Sequence, residues 1–233
     1  MDRAIIFDVD GTLAETEETH RKAFNHAFRS AGLDWAWDQD LYRRLLAVTG
    51  GKERIRYFIE DFGGAGAPRG DLDGFIRELH AEKTSAYTRM VSSGELELRP
   101  GVRELINLAR DRGFRLAIAT TTTPANVDAL LGANFGEAGQ GLFEAVCAGD
   151  SVPNKKPAPD VYLKALDELG LPAANCIAVE DSRNGLLSAS AAGIRTVVTP
   201  GIYTHDENFD EAALVIDSLE SLDEAALESL FRT

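Results

Sequence analysis

The stretch at residues 4–12 constrains the fold most strongly, because four apolar residues run straight into two carboxylates spaced by one residue. A short apolar run that stops abruptly is typical of a strand buried on both faces. In open α/β sheets, ligands bind just beyond the carboxyl ends of such strands. We therefore expect Asp8 and Asp10 to lie where a ligand arrives. Because a carboxylate resists removal from water, a nearby cation should offset them.

The order of the remaining patterns predicts an α/β fold with an inserted helical unit. From residue 92 onward, short apolar segments alternate with helical patterns, which predicts βαβ units and a five- to six-stranded, mainly parallel sheet. Residues 15–91 carry helical periodicity and no convincing strand. We therefore assign residues 1–14 and 92–233 to a core domain and residues 15–91 to an all-helical cap. Trp35 and Trp37 should anchor the cap, with stacking on a sugar as the alternative.

Charge and hydropathy limit the expected partners. The chain has 233 residues and a formal net charge of −14, so neither nucleic acid nor an anionic membrane is an expected partner. No segment approaches the roughly 18 apolar residues of a membrane span, and Asp8 interrupts the first apolar run before it could resemble a secretory signal. We expect a cytoplasmic monomer that binds a small anionic molecule through a few local cations.

Polar residues follow several of the predicted strands. Thr120 follows the second strand, Glu180 and Asp181 follow the fourth, and Asn-Lys-Lys-Pro at residues 154–157 lies between the third and fourth. Two negative charges 4 Å apart repel by about 4 kcal/mol even at an effective dielectric constant of 20. Mg²⁺ suits such oxygen ligands and is often shared with a substrate phosphate. The convergence of these residues at one sheet edge therefore predicts a magnesium-assisted phosphate site.

The same residues resemble the four motifs of the haloacid dehalogenase superfamily, in the family's order and across the whole chain. The motifs are Asp-Val-Asp-Gly-Thr at residues 8–12, Thr120, Lys156-Pro157, and residues 180–185. A lone Asp-x-Asp could be only a turn or a helix cap, whereas the four motifs together are specific. The resemblance implies a haloacid dehalogenase-like Rossmannoid core with strand order 5-4-1-2-3, and the helical insert resembles a C1-type cap.

The resemblance also implies a catalytic role for individual residues. Asp8 would be the nucleophile that becomes an aspartyl phosphate. Asp10 would protonate the leaving alkoxide and then activate a water molecule. Thr120 and Lys156 would bind the transferring phosphoryl group, and Lys155 is a weaker candidate for that contact.

A magnesium site is implied beside the nucleophile. Asp8, the backbone carbonyl of Asp10, and Asp181 would hold Mg²⁺, with Glu180 at or just outside the coordinating atoms. No other cofactor is expected.

Features of the cap resemble the CbbY-type sugar bisphosphate phosphatases of this superfamily. The resemblance implies hydrolysis of xylulose-1,5-bisphosphate, an inhibitor of Rubisco, to xylulose 5-phosphate. A bisphosphate needs a second anion site, which Lys52, Arg54 and Lys83 would supply beside a glycine pair at a helix start. The substrate-binding residues implied in this way are Glu17, Gly50, Gly51, Lys52, Glu53, Arg54, His80, Lys83, Thr121, Thr122, Thr123 and Asn126.

Simpler interpretations of these residues remain open. The cap cations could be solvated surface charges that pair with acids. Glu17 could merely favour a helix start, and the threonine run from Thr121 could be turn chemistry before Pro124. Three histidines show no ligand spacing and are expected to be structural: His20, His26 and His205.

Alternative functions also remain open. A β-phosphoglucomutase-type isomerase shares core and cap, but its cap loop usually carries Gly-x-Ser-Arg, where this chain has Gly-Gly-Lys-Glu at residues 50–53. Its first motif often ends in an apolar residue, where this chain has Thr12, so both differences favour a phosphatase. A phosphoglycolate-type phosphatase is a further alternative. A phosphosugar-binding protein without turnover is disfavoured by the intact motif residues.

The two cysteines test the predicted topology. In the implied strand order, Cys147 and Cys176 lie three strands apart, about 14 Å at the usual strand spacing. This exceeds the limit of about 7 Å between the Cα atoms of a disulfide. We therefore expect two buried free thiols, and the absence of a Cys-x-x-Cys pair argues against zinc or dithiol chemistry.

Overall fold

The computed structural model describes residues 2–68, 70–92, 96–139 and 141–232. The described strands form one parallel six-stranded sheet in the order β3-β2-β1-β4-β5-β6. The strands are β1 (Ala4–Phe7), β2 (Arg115–Ala119), β3 (Ala145–Cys147), β4 (Cys176–Glu180), β5 (Arg195–Val198) and β6 (Leu214–Val215). The predicted order of the first five strands is confirmed, and β6 extends the sheet beside β5.

Helices cover both faces of this sheet. The side chains of each strand alternate between two apolar clusters, one on each face, and each cluster is buried under helices. Ile5 and Phe7 of β1 point into one cluster, whereas Ala4 and Ile6 point into the other. Both faces of β1 are therefore buried, as its apolar sequence predicts. The helices of the core are α5 (Val102–Asp111), α6 (Pro124–Phe135), α7 (Asp160–Leu169), α8 (Arg183–Ala191) and α9 (Glu224–Ser229).

In the described part of the chain, the four helices that lie between β1 and α5 form the insert. They are α1 (Glu17–Ser30), α2 (Gln39–Leu45), α3 (Gly51–Asp61) and α4 (Leu72–Ser92). They enclose their own aromatic-rich cluster, in which Trp37 is fully buried and its ring centroid lies 4.6 Å from that of Phe24. Trp35 lies edge-on to Phe28 at 5.3 Å. Both tryptophans therefore anchor the insert, and neither is placed to stack on a sugar.

The insert also packs on the core. Ala23 of α1 and Ala86, Tyr87 and Val91 of α4 join the apolar cluster on one face of the sheet. The two connecting segments pair with each other through an antiparallel bridge between Ala14 and Leu98. We propose that the cap comprises residues 15–91 and the core residues 1–14 and 92–233, although the end of α4 contributes to the core cluster.

The cysteines agree with the strand order. Cys147 on β3 and Cys176 on β4 are separated by β2 and β1, and both are buried free thiols. Burial raises the pKa of Cys147 to about 12 and that of Cys176 to about 11. Both thiols are therefore protonated and unreactive at neutral pH. In the part of the chain that the structure describes, no helix has the length and apolar character needed to cross a membrane.

Candidate active site

The carboxyl ends of the central strands and the facing side of the cap line one cavity. Predicted residues from three parts of the chain line it. The core supplies Asp8, Asp10, Thr120, Lys156 and Asp181; the cap supplies Glu17, Gly50, Gly51, Arg54, His80 and Lys83; and the segment after β2 supplies Thr121, Thr122, Thr123 and Asn126. Three predicted site residues lie outside this lining: Lys52, Glu53 and Glu180. The carboxyl ends of β1, β2 and β4 thus come together at the cavity as the strand-end argument predicts, whereas Glu180 of the core and Lys52 and Glu53 of the cap lie outside its lining.

A buried ion-pair network surrounds Asp8, directly after β1. Lys156 donates to Asp8 Oδ1 and to Glu180 Oε1, both at 2.6 Å. Tyr162 also donates to Glu180 Oε1 at 2.6 Å, and Glu180 is fully buried. Burial opposes the charge on Lys156, but Asp8 and Glu180 outweigh it and raise its pKa. Lys156 is thus a permanent cation beside the predicted nucleophile, and Glu180 helps to hold it there.

Three carboxylates converge at this point in the site. Asp8, Glu180 and Asp181 each offer an oxygen atom, and these atoms lie within 4.8 Å of one another. Burial and the charges of Glu180 and Asp10 raise the pKa of Asp8 to about 7, despite the opposing effect of Lys156. Burial and the charges of Asp8 and Glu180 also raise the pKa of Asp181. A further cation would relieve this repulsion.

The donor set fits Mg²⁺, since it consists of closely spaced carboxylate oxygens. Gly11 lies directly against Asp181: a Cβ atom on Gly11 would lie 2.1 Å from Asp181 Oδ2, and its φ of +79° also favours glycine. The side chain of Asp10 is not part of the group, so only its backbone carbonyl remains a candidate ligand.

The Asp10 carboxylate instead faces the cap. It accepts hydrogen bonds from Thr16 Oγ1 at 2.6 Å and from His20 Nε2 at 2.8 Å. Lys83 donates to His20 Nδ1 at 2.6 Å, and because an ammonium has only donors, the ring proton belongs on Nε2. Burial opposes ionisation of Asp10, but the interactions with His20 and Thr16 outweigh it and hold its pKa well below the usual range.

The structure places His20, which is expected from the sequence to be structural, beside Asp10 in the wall of the cavity. His20 is 4% exposed, lines the cavity and stacks on Tyr87 with ring centroids 4.1 Å apart. Its position three residues after Glu17 places both side chains on the same face of α1. That spacing is the signal that could have identified it, because Glu17 was already a candidate.

The cap presents two buried cations to the cavity. Arg54 is 9% exposed and Lys83 is 4% exposed, which is unusual for these residues. Arg54 donates to the Tyr42 hydroxyl at 3.0 Å, and Tyr42 donates to Glu17 at 2.6 Å. Arg54 Nε is buried with no hydrogen-bond partner among the described residues. A buried guanidinium with an unused donor is suited to an anionic ligand.

The segment after β2 supplies polar groups from the core side. The backbone N–H of Thr122 donates to Thr120 Oγ1 at 3.3 Å, and Asn126 Nδ2 donates to Thr122 Oγ1 at 2.8 Å. Asn126 Oδ1 and Thr123 Oγ1 are buried without a hydrogen-bond partner within the described ranges. These oxygen atoms can accept hydrogen bonds from hydroxyl groups of a ligand.

The glycine pair forms the start of α3, where close packing requires small residues. A Cβ atom on Gly51 would lie 2.5 Å from His80 Nε2, and one on Gly50 would lie 2.2 Å from Glu53 Oε2. Burial and the charges of Lys83 and Lys52 lower the pKa of His80 to about 3, so this ring is neutral. The Glu53 carboxylate packs against Gly50 and does not line the cavity.

The Lys52 side chain, which is predicted to bind a substrate phosphate, contacts a carboxylate of the core. Its ammonium contacts Asp150 of the core, and Asp150 also accepts a hydrogen bond from Lys155 Nζ at 2.7 Å. Lys155, the weaker phosphate candidate, therefore binds Asp150 and the carbonyl of Gly149. The Lys52 side chain connects cap and core at the rim of the site.

Comparison with known proteins identifies the family. The family model described as haloacid dehalogenase-like hydrolase matches residues 3–193. The chain belongs to this family. The haloacid dehalogenase-like assignment agrees with the parallel sheet, the strand-end carboxylates and the helical insert, and it confirms the resemblance on which the motif residues were assigned.

Among members of this family, the chain is similar to CbbY proteins in both sequence and structure. The chain is 53% identical over 228 residues to Protein CbbY of Rhodobacter capsulatus, with 98% of each chain covered. It matches a crystal structure of CbbY from Rhodobacter sphaeroides with phosphate at a TM-score of 0.92 and 48% identity, covering 98% of this chain and 100% of that one.

A further crystal structure shows a mutant of Rhodobacter sphaeroides CbbY in complex with xylulose-1,5-bisphosphate. It matches with a TM-score of 0.92 and 47% identity, covering 97% of this chain and 99% of that one. Together with the geometry of the site, these comparisons make this haloacid dehalogenase-like protein a CbbY-type sugar phosphatase.

Proposed function

We propose that this phosphatase hydrolyses xylulose-1,5-bisphosphate to xylulose 5-phosphate with the assistance of Mg²⁺. The observation that carries the proposal is a single cavity with Asp8 and Lys156 on its core side and the buried cations Arg54 and Lys83 on its cap side. A sugar with a phosphate at each end matches this arrangement. The complex of a CbbY relative with this bisphosphate supports the same substrate, whose removal would relieve inhibition of Rubisco.

In the first step, the Asp8 carboxylate attacks the phosphorus atom of the 1-phosphate. A bond forms between Asp8 and phosphorus, the bond between phosphorus and the sugar oxygen breaks, and Asp10 gives its proton to the departing alkoxide. Lys156 has three N–H donors, two of which bind Asp8 and Glu180. The third is available to a phosphoryl oxygen, as is the hydroxyl of Thr120.

In the second step, a water molecule attacks the phosphorus atom of the aspartyl phosphate. Asp10 takes a proton from that water, the bond between Asp8 and phosphorus breaks, and inorganic phosphate leaves. The low pKa of Asp10 favours the ionised form that this step requires. In the first step, the negative charge of the bound substrate acts in the opposite direction and favours the protonated form.

Mg²⁺ would be held by Asp8, Asp181 and the backbone carbonyl of Asp10, with Glu180 at or beside the coordinating atoms. When bound, it would stabilise the negative charge that accumulates on the phosphoryl oxygens. Glu180 would act mainly through Lys156, since both Tyr162 and Lys156 occupy its Oε1 atom.

The second phosphate would bind between the cap cations and the start of α3. Arg54 offers its unused Nε donor and Lys83 offers its ammonium. The first amides of α3 have no carbonyl of a preceding turn to bind, so they would also donate to a phosphate that binds at the helix start. Glu17, Thr123 and Asn126 would bind hydroxyl groups of the sugar between the two phosphates.

A substrate panel tests this function. Purified enzyme with Mg²⁺ should turn over xylulose-1,5-bisphosphate with a higher kcat/KM than glucose 1-phosphate or phosphoglycolate, and Asp8→Asn should abolish phosphate release. Equal or slower turnover of the bisphosphate would show that the substrate assignment is wrong. Formation of glucose 6-phosphate from β-glucose 1-phosphate with a bisphosphate primer would favour the β-phosphoglucomutase-type alternative.

A further inference from the structure

Arg99 lies where the two connections between core and cap meet. Its backbone N–H donates to the carbonyl of Leu13 at 2.8 Å, next to the bridge between Ala14 and Leu98. The outgoing connection at residues 11–16 and the returning connection at residues 96–100 are therefore paired here. Any change in cap orientation has to pass through this pair of segments.

The side chain of Arg99 extends this junction to the core. Its NH1 donates to the carbonyls of Gly11 and Thr199, the latter at 2.7 Å. Its NH2 donates to the carbonyl of Pro200 at 2.8 Å and to Thr199 Oγ1 at 3.0 Å. Its Nε lies 3.3 Å from Glu15 Oε1, and the side chain is 11% exposed. All three guanidinium nitrogens therefore have partners, which lie on the outgoing connection at Gly11 and Glu15 and on the loop after β5 at Thr199 and Pro200.

The segments bound by Arg99 lie against the predicted metal ligand Asp181. Gly11 packs on the Asp181 carboxylate, as its close approach shows. The backbone N–H of Thr199 donates to the carbonyl of Glu180 at 2.8 Å. Thr204 Oγ1 donates to the carbonyl of Asp181 at 2.7 Å. Arg99 thus connects the cap junction to both loops that surround the acidic group.

We propose that Arg99 is a positioning residue that sets the orientation of the cap relative to the nucleophile. It does so by tying the outgoing connection, through Gly11 and Leu13, and the returning connection, of which it is part, to the loop after β5. A planar guanidinium can bind several acceptors in fixed directions, whereas an ammonium cannot reproduce that arrangement. A substrate that contacts cap and core together depends on this orientation, and a small phosphoryl compound held by the core alone does not.

The kinetic test compares Arg99→Lys with Arg3→Lys. Arg3 donates to Glu228 through two hydrogen bonds of 2.8 Å and precedes β1, at the end of that strand opposite Asp8. For Arg99→Lys, we expect kcat/KM for xylulose-1,5-bisphosphate to fall about 10- to 100-fold, and kcat/KM for acetyl phosphate to change less than about threefold. Arg3→Lys should leave the ratio of the two values unchanged. Equal losses on both substrates, or no loss, would overturn the proposal.

The choice of xylulose-1,5-bisphosphate as the substrate that contacts both cap and core rests on the proposed function. A second measurement therefore tests Arg99 without any substrate. Hydrogen exchange of the amides at residues 11–16 should be faster in Arg99→Lys than in the unmodified protein, and Arg3→Lys should leave it unchanged. Unchanged exchange in Arg99→Lys would overturn the role of Arg99 whatever the substrate. If the unmodified enzyme shows no preference for the bisphosphate, the proposed function fails, and the exchange rates alone decide the role of Arg99.

Discussion

His20 on the first cap helix donates from Nε2 to the Asp10 carboxylate of the core at 2.8 Å. The opposite ring nitrogen accepts from Lys83, which lines the cap side of the cavity. One imidazole ring therefore connects the predicted proton-transfer group with a predicted phosphate-binding cation. The hydrogen bonding of Asp10 depends on where α1 lies, and hence on the orientation of the cap.

Replacing His20 should impair proton transfer more than substrate binding. His20→Ala removes a donor from Asp10 and leaves the carboxylate less well oriented. We expect kcat for xylulose-1,5-bisphosphate to fall about 10- to 100-fold, within the usual range for general acid–base groups. Steady-state kinetics measure this effect. His26→Ala is the matched control, since His26 lies on the same helix with 38% of its side chain exposed. A comparable loss in both variants would argue against this role.

The pH dependence of kcat/KM for the bisphosphate should reveal the titration of Lys83. Burial lowers its pKa to about 8, although the charge of Asp10 opposes the shift. A lysine loses its charge as the pH rises through its pKa, so the cap site becomes less positive above about pH 8. We expect kcat/KM for the bisphosphate to fall up to about tenfold per pH unit there.

The control for this pH profile is Lys83→Arg. A guanidinium remains charged throughout this range, so the decline above pH 8 should disappear. Persistence of the same decline in Lys83→Arg would assign it to another group.

The core half of the site could be predicted because strand ends obey a simple geometric rule. Asp8, Thr120 and Asp181 follow three strands that are neighbours in the sheet, so their positions converge once the sheet is parallel. The contact between His20 and Asp10 could not be predicted in the same way. Helical spacing places His20 on the face of Glu17, but the path of residues 11–16 decides what that face meets.

Lys52 shows the same limit from the opposite direction. Its sequence context, a lysine after two glycines at a helix start, is typical of a phosphate-binding turn. The structure directs its side chain to Asp150, a core residue distant in sequence. Such a pairing depends on how cap and core pack together. Neither the sequence around Lys52 nor the sequence around Asp150 contains that information.

The side chain of Lys52 should consequently contribute less than that of Arg54. An exposed ion pair is worth about 0–1 kcal/mol, so Lys52→Ala should lower kcat/KM for the bisphosphate no more than about fivefold. Asp150→Asn should have a similar small effect, because it removes the other member of the pair. A loss in Lys52→Ala as large as that of an Arg54 substitution, with Asp150→Asn unaffected, would restore Lys52 as a direct phosphate ligand.

Tyr162 should stabilise the fold through Glu180. Tyr162→Phe keeps the ring under Lys156 but removes the hydroxyl that donates to a fully buried carboxylate. We expect the free energy of unfolding to fall by about 1.5–3 kcal/mol, as for hydrogen bonds to charged groups. Urea unfolding measures the change. Tyr57→Phe, at a half-buried position on α3, should change stability by less than about 0.5 kcal/mol. Equal values for the two variants would contradict the role of this hydrogen bond.

The central claim is that one phosphate binds at Asp8 while the other binds at the cap cations. The most direct measurement is the ratio of kcat/KM for xylulose-1,5-bisphosphate to that for xylulose 1-phosphate, in the unmodified enzyme, Arg54→Gln and Arg56→Gln. Arg56 is the matched control, because it lies on the same helix and pairs with Asp73. We predict that the enzyme prefers the bisphosphate, that Arg54→Gln lowers the ratio about 10- to 100-fold, and that Arg56→Gln leaves it unchanged. An equal ratio in all three proteins would contradict a second phosphate site at Arg54.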